Sequence, residues 1–187
     1  MSRVIHVFRT PDRFVAGTVG EPGDRTFYLQ AVDEAKVVSV QLEKEQVAVL
    51  AERLSALLDE VVRRLGDAAV EAGEPAVDTE PLSTPVEQEF RVGTMGLGWD
   101  IESRAIVVEL LAVSEQEVDE SMVLDDTEEG PDAVRVFLSL VQARAFATRA
   151  ERVLSAGRRP CPLCKEPLGP QGHICPRQNG YRRQAEA

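Results

Sequence analysis

Three cysteines and a histidine fall within fifteen residues of one another, as Cys161-Pro162-Leu163-Cys164 followed by His173-Ile174-Cys175. The spacing C-x2-C-x8-H-x-C supplies three thiolates and one imidazole, a complete tetrahedral shell for zinc. A C-x2-C turn brings two sulfurs to one centre while its backbone amides point at them, and Pro162 stiffens that turn. His173 and Cys175 lie two apart, so in an extended segment both project from one face. Gly169 and Gly172, with Pro167 and Pro170, form a reversing loop that carries the second pair back to the first. Four protein ligands leave no position for water or substrate, so a zinc here is structural rather than catalytic. Two other readings stay open: reduced thiols beside an unrelated histidine, and a dithiol redox pair. The redox reading is weaker because no strand and helix start adjoin the motif to depress one thiol's pKa.

Charge reverses around this cluster. The whole chain carries 21 Lys+Arg against 32 Asp+Glu, a formal −11. Residues 158–187 hold six basic against two acidic residues, a local +4 that leaves −15 on the rest. A Cys3His zinc centre has a formal charge of −1, which nearby cations offset. The functional reading is a contact surface made by Arg158, Arg159, Arg177, Arg182 and Arg183 with Tyr181. Its occupant is an acidic protein partner or the chain's own acidic stretch at 115–132. Nucleic acid, stacked on Tyr181, is a lesser alternative. The overall acidity excludes a generally basic nucleic-acid binder.

The elements that must hold this cluster are legible in the periodicities. With 187 residues, 43% hydrophobic and 28% charged, the chain is long enough for one self-supporting core without disulfides. Short alternating runs at 3–8, 13–19, 26–32 and 36–42, split by turn residues, predict an antiparallel meander. From Glu43 to Leu65 the apolar residues recur at three and four, which predicts an amphipathic helix stopped by Gly66. Residues 66–88, broken by Pro75, Pro81 and Pro85, read as a mobile linker. Two strands at 89–99 and 102–113 form a hairpin turning near Asp100 to Ser103. Nine acids and no Lys or Arg between 115 and 132 read as a solvated loop. Pro131-Asp132 opens a second helix that runs to about Leu154.

No other constellation rises to chemistry. Gly93-x-x-Gly96-x-Gly98 lies inside a strand pattern with no helix behind it, so it permits a bulge or close backbone approach rather than binding a nucleotide. His6 is a strand residue without a second free histidine to work with. Trp99-Asp100 reads as a packed ring beside a turn acid, and no serine sits in a G-x-S-x-G elbow. No catalytic and no organic-cofactor residues are assigned. The start lacks a signal peptide and no apolar run approaches membrane length, which predicts a cytoplasmic protein.

Gly157-Arg158-Arg159-Pro160, the Cys161 to Cys164 turn, Gly172-His173-Ile174-Cys175-Pro176-Arg177 and Asn179-Gly180-Tyr181-Arg182-Arg183 together resemble the DUF3090 proteins of actinobacteria, a family of uncharacterised function. The strand-rich beginning and the Gly93 to Trp99 region are similar to it as well. The resemblance implies a cytoplasmic protein encoded near histidine-phosphatase-like and lipid-kinase-like proteins, and it supplies no activity. Where that family's pattern has glycine after the second cysteine, this chain has Lys165, a departure that bears on the left-handed backbone expected there but not on the ligands. The expected architecture is α+β: an antiparallel sheet with two amphipathic helices on one face over residues 1–156, and a small zinc knuckle over 157–187. The expected function is a non-enzymatic binding or adaptor protein using a structural Cys3His zinc. The alternatives are an enzyme acting on a phosphorylated metabolite from a site in the strand-rich body, and a nucleic-acid binder through the basic tail.

Overall fold

A computed structural model describes residues 3–34, 36–66, 76, 78–114, 123, 126–127, 129–157, 160–168 and 172–177. In chain order the elements are β1 (Ile5–Phe8), β2 (Arg13–Glu21), β3 (Asp24–Asp33), β4 (Lys36–Leu42), α1 (Lys44–Leu65), β5 (Gln88–Asp100), β6 (Ala105–Ala112), β7 (Ala133–Leu138) and α2 (Leu140–Ser155). The fold is α+β, with seven strands in one mostly antiparallel sheet of order β1-β7-β6-β5-β4-β3-β2.

Two features of that order correct the expectation of a plain meander. Only β2, β3 and β4 form one; β1 leaves them and pairs in parallel with β7, and β4 pairs in parallel with β5. The sheet therefore begins and ends on strands that are neighbours in sequence. Laid flat, seven strands would separate their outer axes by about 29 Å, whereas the connector at 9–12 reaches at most about 18 Å. The sheet must coil until its edges approach. A contact across the gap agrees: the Lys36 ammonium at the start of β4 lies 4.6 Å from the centre of the Phe8 ring of β1.

The second correction concerns residues 133–138. The expected helix from Pro131 does not exist there; the six residues form β7, and all six are buried. A strand covered on both faces loses its alternation and cannot be told from a buried helical segment by period alone. The true start of α2 is Ser139, whose hydroxyl accepts from Gln142 N–H at 3.2 Å while the Gln142 side chain accepts from Ser139 N–H at 3.0 Å. That S-x-x-Q is a capping box. In the hairpin, the turn falls at 101–104 and β6 begins at Ala105 rather than Glu102.

One face of the coiled sheet carries Phe14, Leu29, Val40, Val108, Val136 and their neighbours, which form a single core with Leu50, Leu54 and Leu58 of α1 and Ala143, Phe146 and Ala150 of α2. Both helices thus sit on one face. The Phe14 and Phe146 rings stack at 4.7 Å.

The opposite face is covered by loop. Residues 78–87, expected to be mobile, form a strap across the β2 edge and onto the back of β2 to β4. Arg13 donates to both Asp78 carboxylate oxygens, at 2.6 and 3.0 Å. The buried Arg149 of α2 donates to Ala16 O, Asp78 O, Asp78 Oδ1 and Glu80 O, all within 2.9 Å. Leu82 then lies on Gly17, where a Cβ would come within 2.6 Å of it. The Gln30 amide donates to Ser83 O and accepts from Ser83 N–H. Residues 67–75 and 77 of the expected linker lie outside the described residues.

Behind β5 to β7 the acidic stretch is not wholly solvated as expected. Val123 packs where Gly96 lacks a side chain, on the position a Cβ would take. Asp126 accepts from Arg135 at 2.5 Å, and Arg135 also pairs with Glu109, which is fully buried. Asp132 accepts from Val4 N–H at 2.8 Å.

Candidate metal centre

The segment that carries the cluster leaves α2 at Ser155 and is tied to the sheet by Arg25, which donates to Ala156 O at 3.3 Å. Pro160 and Pro167 then form an isolated antiparallel bridge. Within it, Cys161 N–H donates to Glu166 O at 2.8 Å and Lys165 N–H donates to Cys161 O at 2.9 Å. This closed turn points the first two sulfurs inward. Lys165 adopts φ +67°, so the left-handed conformation is kept although glycine is absent. Arg177 crosses back to donate to Leu163 O at 3.1 Å, which holds the second ligand pair over the first.

The ligand atoms of Cys161, Cys164, His173 and Cys175 all lie within 4.8 Å of one another. The Cys161 and Cys175 sulfurs are 3.8 Å apart. That is far beyond a disulfide bond and equals about the 3.8 Å edge of a tetrahedron with metal–sulfur bonds near 2.3 Å. Cys164 Sγ and His173 Nε2 approach to 3.1 Å. Both outer cysteines are buried, and Cys164 and His173 are half-buried. His173 Nδ1 is buried without a hydrogen-bond partner among the described residues. An imidazole offered no protein partner beyond a thiol suits a metal ligand better than an ordinary packed histidine.

The electrostatics favour thiolate at one end of the cluster. The backbone N–H groups of Cys164 and Leu163 aim at Cys161 and bring its pKa down to about 7. Burial, together with the neighbouring Cys161 and Cys175 sulfurs, pushes the Cys164 thiol up. Crowded thiols of this kind oppose one another's ionisation until a cation neutralises them. The donor set, soft sulfur with one imidazole, could hold a metal ion.

The family model for proteins of unknown function, DUF3090, matches residues 6–175. The chain belongs to the DUF3090 family. That match takes in all four candidate ligands of this DUF3090 chain. No curated protein and no solved structure matches it.

Of the residues expected to contact a partner, Arg177 is exposed and turned in part onto Leu163; Arg158, Arg159, Tyr181, Arg182 and Arg183 lie outside the described residues. Asp126 engages Arg135. The Gly93 reading as a bulge agrees with a register shift between Val92 and Thr94. Among the described residues, no helix is long and apolar enough to cross a membrane. Sequence reasoning missed Arg9 and Arg104, two exposed arginines in separate turns that line one cavity.

Proposed function

We propose that this protein is a zinc-stabilised, non-enzymatic binding protein of the cytoplasm, whose Cys3His knuckle presents basic residues to an acidic protein partner. The convergence of four ligand atoms within 4.8 Å carries the reading. Three sulfurs and an imidazole select zinc over magnesium or calcium, which take oxygen. A full shell of protein ligands serves folding rather than turnover, because it offers no open coordination position. The local +4 of residues 158–187 against −15 elsewhere supports an acidic partner. Residues 157–187 then act as a small module whose folding is linked to the metal.

Elemental analysis of the purified chain tests the metal. The expected result is close to one equivalent of zinc, lost in Cys164→Ser together with the fold of the knuckle. Less than about half an equivalent, with no change on Cys164→Ser, removes the zinc. A pulldown tests the partner: capture must depend on Arg182 and Arg183 and survive nuclease. Capture that nuclease abolishes would transfer the surface to nucleic acid.

A further inference from the structure

A cavity of about 680 Å³ opens at the end of the coiled sheet, where the β1–β2 connector, the β5–β6 turn and the start of α2 converge. It shares no residue with the cysteine cluster. Its lining includes Arg9 and Arg104 and no acidic residue, in a chain where acids outnumber bases 32 to 21. The Arg9 guanidinium lies 4.7 Å over the Phe137 ring. Among the described residues neither arginine forms a hydrogen bond or an ion pair. Asp100, which with Glu102 and Arg9 lines an adjoining cavity of about 320 Å³, feels the Arg9 charge but hydrogen-bonds Ser103 N–H, at 3.1 Å, rather than Arg9.

The walls are fixed in advance. The Gln142 amide donates to Pro11 O at 2.8 Å and accepts from Ser139 N–H at 3.0 Å, which locks the connector to α2. Pro11, Val141 and Phe137 give the cavity an apolar side. Cavities of roughly 300–1,000 Å³ with apolar walls and a few placed polar groups are the usual form of small-molecule sites.

We propose that this cavity binds a small organic phosphate. The phosphate is held by Arg9 and Arg104, and the organic part lies along Phe137, Pro11 and Val141. Two guanidiniums with no acid in the cavity's own lining match a phosphate monoester, which carries a charge of about −2 near neutral pH, better than a carboxylate, which one arginine satisfies. Stacking on Phe137 holds Arg9 at the site without using its N–H donors.

The test is calorimetric titration of the full-length, metal-loaded chain with phenyl phosphate, inorganic phosphate and phenol in low-salt, phosphate-free buffer. Trp99, the only tryptophan, reports in parallel by fluorescence. The expected result is a Kd for phenyl phosphate of about 1 mM or tighter, weaker binding of inorganic phosphate and none of phenol. Arg9→Ala and Arg104→Ala should each weaken phenyl phosphate about tenfold while the chain stays folded, because both side chains are exposed; the melting temperature should hold in Arg104→Ala and fall by no more than about 4 °C in Arg9→Ala, which loses the Phe137 contact. Arg104→Lys should lose less than Arg104→Ala, and Arg63→Ala, on the exposed side of α1, should lose nothing. Three results would overturn the proposal: no saturation by about 10 mM, phenol binding as well as phenyl phosphate, or an equal loss in Arg63→Ala. None of them bears on the zinc.

Discussion

Removing one carboxylate, in Asp78→Ala, should loosen the strap over the β2 edge and lower stability more than a surface substitution would. Asp78 is only 26% exposed and accepts from Arg13 twice and from Arg149 once; those arginines are 19% and 8% exposed. Breaking a fully buried ion pair costs about 3–5 kcal/mol. Here Arg149 keeps Ala16 O and Glu80 O, and Arg13 keeps Glu80 O and Pro81 O, so the arginines are not stranded. The loss should be about 2–3 kcal/mol, the range of one to two charge-assisted hydrogen bonds. For a chain of this length that is a fall in Tm of roughly 4–12 °C.

The pH dependence separates this contact from simple packing. The Arg13 hydrogen bond is the largest influence on Asp78, and it holds the carboxyl below its ordinary pKa against the opposing effect of burial. A group depressed on folding contributes stability that is complete above its unfolded pKa, about 3.9. That contribution disappears as pH falls through the lower folded value. The gap between the native chain and Asp78→Ala should therefore be constant from about pH 5 to 8 and narrow below about pH 4. Denaturant melts followed by circular dichroism measure it, and a double-mutant cycle with Arg13→Ala isolates the pair. A coupling energy near zero, or a gap that stays level down to about pH 2.5, would refute the clasp.

Three further outcomes rest on single residues. Lys165→Gly should relieve the left-handed strain and tighten zinc retention against a chelator about threefold, net of glycine's entropy; unchanged or weaker retention contradicts the turn geometry. Ser139→Ala removes the hydroxyl that caps α2 and should cost about 1 kcal/mol in urea unfolding. Gly17→Ala places a methyl within 2.6 Å of Leu82 and should cost about 1–3 kcal/mol while speeding proteolysis in the strap; a stabilised variant would show that Leu82 does not seat there.

The parts of the fold that were legible are those in which one face is wet. The helix α1 declares its period because its outer face carries Glu45, Arg63 and Arg64 while Val47, Leu50, Leu54 and Leu58 face the core. The candidate metal ligands were legible for a different reason: their spacing is local, so a short reversing segment brings them together. What escaped depends on partners far along the chain. The strand β7 was mistaken for helix because both of its faces are covered, and the signal that contradicted a helix, Ser139 with Gln142, lay one residue beyond it. The lone charges Glu109 and Arg135, each inside an apolar run, sit directly opposite in the β6–β7 register and neutralise each other behind the sheet. The strap read as mobile from its prolines, yet its order comes from Arg13, Gln30 and Arg149, none of which belongs to it.

The short connector at 9–12 links these observations. Because β1 and β2 lie at opposite ends of the sheet order, four residues must draw the edges together, and the coil that results brings the connector beside the β5–β6 turn and the start of α2. Arg9 and Arg104 become neighbours of one cavity only through that closure. Lengthening the connector with a Gly-Ser pair after Thr10 should relax the constraint at little entropic cost. If the cavity is a product of closure, phenyl phosphate affinity should fall while the zinc content stays the same, since the knuckle hangs from α2 at the far end of the chain. Retained phosphate affinity in that insertion variant would show that the cavity is formed without the constraint. Loss of zinc alongside it would show that the two ends of the fold are coupled.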